Sequence, residues 1–135
     1  MATRRSREGD RSPSERRHVG LTLPRAVKGK ALEAAEVMEW SLGDWVLAAA
    51  AEEGPELRRA LGTVEVPKRH RVEDATFTAL YLTPDERDEL DDQAVACGLN
   101  RSAFVTTVAR LALGEELETV VGAFTARRPD GADGA

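Results

Sequence analysis

Between Phe77 and Gly114 the apolar positions change period, and the change marks the elements. Leu80 and Leu82 fall two apart, the period of a strand with one covered face. Thr83-Pro84-Asp85-Glu86 then reads as a helix start, with a hydroxyl at the N-cap, Pro at the first helical position and acids in the first turn. Leu90, Ala94 and Cys97 recur at helical spacing until Gly98 supplies a stop. Asn100 caps a second helix, and Leu99 is placed to staple onto Phe104 across that cap. This helix carries Phe104, Val105, Val108, Leu111 and Ala112 and ends at Gly114.

A strand and two helices of about 40 residues bury too little apolar surface to stand alone, and the strand has two open edges. The chain holds a second such unit. From His18 onward, Leu21 and Leu23 repeat the strand, and Leu32, Ala35 and Met38 form a helical stripe. Ser41 with Asp44 is a variant capping box, and Trp40 and Trp45 stand where Leu99 and Phe104 stand later. One interval, that from Leu21 to Leu80, also separates Leu23 from Leu82, Ala35 from Ala94, Val46 from Val105 and Ala50 from Ala109. A constant interval without a gap reads as an internal duplication. The predicted fold class is mainly α with a short two-stranded antiparallel ribbon, Val19 to Leu23 pairing with Thr78 to Leu82. Val19, Leu21, Leu23, Thr78, Leu80 and Leu82 then face the helices. Gly20, Thr22, Phe77, Ala79 and Tyr81 face out, with His18 at the edge.

Both units resemble the ribbon-helix-helix (MetJ/Arc/CopG-like) family of DNA-binding β-ribbon proteins. The second unit carries the clearer likeness in Leu80-Tyr81-Leu82-Thr83-Pro84-Asp85-Glu86, followed by Gly98-Leu99-Asn100-Arg101-Ser102. The first departs from the glycine-led turn with Glu39-Trp40-Ser41-Leu42-Gly43, and it places Pro24 directly after Leu23. The resemblance covers roughly residues 17 to 54 and 76 to 114. It implies a tandem ribbon-helix-helix pseudo-dimer, formed within one chain, that places its ribbon in the major groove of duplex DNA. Two molecules would be able to associate side by side on DNA.

On that resemblance the base-contacting positions are Thr22, Tyr81, His18, Gly20 and Ala79. Thr22 and Tyr81 can hydrogen-bond and Ala79 can meet a thymine methyl, but no Arg, Lys, Asn or Gln sits at a central ribbon position. Phosphate contacts are expected at the N-terminus of each second helix, through Ser41, Gly43, Asn100, Arg101 and Ser102. Further phosphate contacts are expected from Arg16 and Arg17 before the first strand, and from Lys68, Arg69 and Arg71 before the second. The roles the resemblance allows are a transcriptional repressor, a plasmid partition or copy-control protein, a conjugation accessory protein that meets a relaxase, or an antitoxin. In the antitoxin case residues 115–124 are the segment to bind a toxin. A ribbon that contacts protein and no DNA is a further alternative.

Charge divides the chain more sharply than it classifies it. The net charge is −5, yet residues 1–17 hold six Arg against three acids and almost no apolar residue. This segment reads as disordered, either a solubilising terminus or a basic arm reaching DNA. The expected organisation is therefore an arm at 1–17, a first unit with a short extra helix at 18–62, and a basic linker at 63–75. A second unit with an extra C-terminal helix fills 76–124, and a disordered tail 125–135. Gly54-Pro55 is expected to end the first unit's second helix, with Glu56 to Leu61 forming the short extra one. The linker charges Lys68 to Arg71 read equally as a second arm or a solvated loop.

A single Cys excludes a disulfide framework and suits a reducing cytoplasm, and no apolar run approaches the length of a membrane span. Cys97, on a buried stripe with no neighbouring Cys or His, reads as structural. No phosphate loop, metal-ligand spacing or plausible triad is present, and Asp91-Asp92 reads as a solvated helix face. The expectation is a non-enzymatic, cytoplasmic, bacterial protein without cofactor or metal.

Overall fold

Alternation along each of two strands builds the ribbon at the centre of the molecule. The computed structural model describes residues 16–62 and 74–122. The order is β1 (Arg17–Pro24), α1 (Arg25–Met38), α2 (Leu42–Leu61), β2 (Ala75–Leu82), α3 (Pro84–Ala96) and α4 (Arg101–Ala112), and residues 117–122 are again helical. The described residues are mainly helical with one two-stranded antiparallel sheet. The strands are longer than the alternation alone implied, but their faces are as expected. Val19, Leu21, Leu23, Thr78, Leu80 and Leu82 are buried on one side. In register, His18 opposes Tyr81, Gly20 opposes Ala79 and Thr22 opposes Phe77.

Beneath the ribbon α2 and α4 pack on one another, α2 against β2 and α4 against β1. Val46, Ala49 and Ala50 meet a core containing Phe104, Val105, Val108 and Ala109, and the alanines let the two helices approach closely. All five of the equally spaced apolar pairs are buried. The helix starts follow their caps. Ser41 Oγ accepts from Asp44 N at 3.1 Å, and Asn100 Oδ1 accepts from Ala103 N at 2.8 Å. Thr83 and Glu86 form a reciprocal capping box. At the end of α3, Gly98 adopts φ +76, and Leu99 N returns to the Ala94 carbonyl at 2.9 Å.

Three expectations are corrected. Gly54-Pro55 ends nothing: α2 runs unbroken for 20 residues with Pro55 inside it, and there is no separate short helix. An interior Pro costs a helix about 3 kcal/mol. Beyond it, however, Leu57 and Leu61 are buried, and burying a leucine contributes roughly 1.5–3 kcal/mol. Gly54 faces Phe104 on this stretch, where an added Cβ would make an ordinary contact (3.7 Å to Phe104 Cζ). Second, the buried stripe of α1 is Ala31 and Ala35, while Leu32 is 44% and Met38 51% exposed. Third, Trp45 is buried but Trp40 is 39% exposed, so the first turn is stapled less completely than Leu99 and Phe104 staple the second.

Val120 is buried and Leu117 and Val121 pack against the same core, so the helical residues 117–122 belong to it. Among the described residues no helix is long and apolar enough to cross a membrane.

Candidate nucleic-acid interface

The face of the ribbon turned away from the helices carries His18, Gly20 and Thr22 from β1 and Phe77, Ala79 and Tyr81 from β2. It is more aromatic than polar. Phe77 is 67% and Tyr81 53% exposed. The His18 and Tyr81 rings lie 4.4 Å apart between centroids, tilted by 43°. Phe77 leans over Gly20, where an added Cβ would come within 3.0 Å of Phe77 Cε1. The missing side chain at Gly20 is therefore what lets an aromatic ring lie across the middle of the ribbon.

Each outer strand edge is covered by a helix N-terminus from the other half of the chain. Along β1, Thr22 N donates to Ser102 Oγ at 2.9 Å, and the Thr22 hydroxyl lies 3.4 Å from the same oxygen. Arg101 Nη1 donates to the Gly20 carbonyl at 2.9 Å. Along β2, Gly43 is buried so tightly that an added Cβ would stand 3.1 Å from the Tyr81 carbonyl oxygen and 3.2 Å from Leu82 Cδ2. The repeat interval relates Gly43 to Ser102, and it relates Thr22 to Tyr81 as well. Both helix starts also leave backbone N–H groups without an intrahelical acceptor, those of Leu42 and Gly43 and those of Arg101 and Ser102. The dipole of each helix adds partial positive charge there.

Several expected phosphate contacts have other work. Arg101 is the clearest case. Its Nε and Nη2 donate to the two oxygens of Asp91, both at 2.8 Å, while Nη1 holds Gly20. A fork bonded on three sides clamps α3, α4 and β1 together. Asp91 is correspondingly not a solvated face. Gly43 serves the approach of α2 to β2, and Ser102 the edge of β1. Arg16 stands 3.8 Å from Asp44, and Arg17 is exposed at the start of β1. Ser41 and Asn100 are exposed N-caps. Lys68, Arg69 and Arg71, most of the N-terminal arm, the C-terminal tail and Phe124 lie outside the described residues.

Two further cations lie beside the ribbon's other end. Lys28 Nζ donates to the Phe77 carbonyl at 3.2 Å, and Arg25 pairs with Asp74 at 3.2 Å while its backbone N donates to the Asp74 carbonyl. The sequence signal for them is simple, since both fall within a turn of the end of β1.

The Arg101 guanidinium holds the Asp91 carboxyl below the ordinary carboxylate range, against a smaller opposing effect of burial. Arg110 likewise lowers Glu115 through paired hydrogen bonds of 2.7 to 3.1 Å. A carboxylate depressed in the folded state adds stability that is fully present above its unfolded value and is lost as pH falls through the folded one. Melting temperature followed from neutral pH to strong acid is therefore expected to separate the wild-type protein from Asp91→Asn at neutral pH. The two should begin to converge as pH falls below about 4 and should meet only below the depressed folded-state value. Curves that stay parallel into acid would show that the fork contributes nothing to folding.

Burial raises the Cys97 thiol, which fits an inert core position. Among the described residues no cluster of three or more His, Cys, Asp or Glu is placed to hold a metal ion. Comparison of the chain with protein-family models, with curated proteins and with solved structures gave no match.

Proposed function

We propose that the chain is a tandem ribbon-helix-helix protein whose two halves, related by one constant sequence interval, form an intramolecular pseudo-dimer that binds duplex DNA through its ribbon. The observation that carries this reading is the register. Gly20 and Ala79 are counterparts in the two halves, they oppose one another at the ribbon's centre, and every flanking pair is arranged about them. His18 and Thr22 are partnered by Tyr81 and Phe77, so each pairs with the counterpart of the other. Gly43 against Tyr81 and Ser102 against Thr22 repeat the relation at the strand edges. A two-stranded ribbon fits the major groove, and two helix N-termini beside it present N–H groups and dipoles suited to phosphates.

In this reading Tyr81 and His18 are the main polar readers, because the Thr22 hydroxyl is turned toward Ser102. The protein acts without catalysis, as a repressor or as an accessory protein of plasmid maintenance or transfer. The test is selection from a random duplex library by the full-length chain at two salt concentrations. An enriched motif is expected for the wild-type protein. Tyr81→Ala should lower affinity for that motif roughly tenfold while leaving salt-dependent binding to unrelated duplex nearly unchanged. Failure to retain any duplex at moderate salt would sink the reading.

The exposed aromatic rings favour one competing reading. Phe77 and Tyr81 on an open ribbon face would equally suit a protein partner. Capture of such a partner, lost on Phe77→Ser with duplex binding absent throughout, would select it.

A further inference from the structure

On the side of the molecule where α1 ends, a groove of about 420 Å³ opens between α1, α2 and the end of α4. Met38, Trp40, Trp45 and Glu52 line it, together with alanines of α2 and Ala112. Its origin is an inequality between the two halves. The counterparts of Trp40, Trp45 and Glu52 in the second half are Leu99, Phe104 and Leu111, and all three are buried. There the last turns of the 20-residue α2 cover Phe104. The 12-residue α4 stops at Ala112, with Gly114 turning away at φ +107, so no comparable turn covers Trp40.

The open side also differs in chemistry. Where the closed side has Leu99 and Leu111, the groove has an indole and a carboxylate. Glu52 is the only charged residue lining it, and among the described residues that carboxylate forms no ion pair. Indole faces attract cations most strongly where water is partly excluded, and a methionine adapts to irregular apolar shapes. The volume lies within the ordinary range of small-molecule sites, about 300–1,000 Å³.

We propose that this groove binds a small lipophilic organic cation, its charge placed between the indoles and Glu52 and its apolar body against Met38 and the alanines. Glu52 is exposed, so a cation gains an attraction there that a neutral apolar ligand does not, and an anion would be repelled by it.

The chain's only two tryptophans both line the groove, so its intrinsic emission reports the site directly. Tetraphenylphosphonium titrated into the full chain is expected to change tryptophan emission saturably. Triphenylphosphine oxide, a neutral molecule of related shape, should bind roughly tenfold more weakly. Glu52→Gln should bring the cation's affinity down to that of the neutral analogue. Trp40→Leu, at a half-exposed position, should weaken the cation by a similar factor with Trp45 as the remaining reporter. Unchanged thermal unfolding will show that both variants are folded. Asp92→Asn, an exposed carboxylate on α3, should leave the affinity as it was.

Equal affinity for the cation and the neutral analogue would overturn the proposal. So would an Asp92→Asn effect as large as that of Glu52→Gln, which would reveal attraction to overall charge. Absence of saturable binding, with sedimentation showing a dimer that Trp40→Leu dissociates, would instead assign the groove to a second copy of the chain.

Discussion

Leu82→Lys should leave the chain without a cooperative unfolding transition. Leu82 is fully buried at the end of β2, and its Cδ2 lies against Gly43 in the first turn of α2. A lysine there must either bury an ammonium with no acceptor or pull the strand end into water. An uncompensated buried charge costs several kcal/mol, and a domain of this size holds only about 5–15 kcal/mol in total. The loss falls on the one sheet that joins the two halves, so it cannot be confined to a loop. Circular dichroism during heating would show a shallow, featureless change where the wild-type protein melts sharply. Val95→Lys, on an exposed position of α3, should stay within about 0.5 kcal/mol of wild type. Equal melting of Leu82→Lys and Val95→Lys would mean the ribbon is not what holds the molecule together.

Gly43→Ile is expected to cost about 1–3 kcal/mol, the range for overpacking a close contact. The first atom of any side chain at this position would already stand 3.1 Å from the Tyr81 carbonyl and 3.2 Å from Leu82. One of these neighbours is backbone in the ribbon and cannot swing aside, so α2 must lift from β2. Gly29→Ala gives the contrast within the same protein. Gly29 lies on α1 with nothing within 4 Å of the added atom, and alanine there should stabilise by roughly 0.5–1 kcal/mol through helix propensity. Urea midpoints for the two variants should therefore move in opposite directions. A shift of both the same way would remove the close approach of α2 to β2 as an explanation for glycine at position 43.

The elements readable from sequence were those that local rules determine. Alternation fixed which face of each strand is covered, because a strand slipped by one residue exposes its whole apolar set. Ser41, Thr83 and Asn100 announced their helices through side chains that reach their own first turns. Leu32 and Met38 misled because their size suggested a core stripe that the two alanines occupy instead. The repeat interval itself held the answer, since it carries Leu90 and Ala94 back onto Ala31 and Ala35. Pro55 misled because a local breaker was outweighed by Leu57 and Leu61 packing farther along the same helix. At the ribbon face the positions were legible but their neighbours were not. The clamp of Arg101 on Asp91 and Gly20 depends on how α3 and α4 cross after Gly98, and their separation across a turn carries no signal of that.

The ribbon's two strands belong to one polypeptide, and this has a consequence for whatever lies along it. Ribbons assembled from identical chains look the same from either end, and they fall apart on dilution. Here the two strands pair within one chain, and one half presents His18, Gly20 and Thr22 where the other presents Phe77, Ala79 and Tyr81. A ligand following the ribbon meets a different surface at each end. Under the proposed function, a duplex lying there would be held in one orientation, and its own two ends need not match.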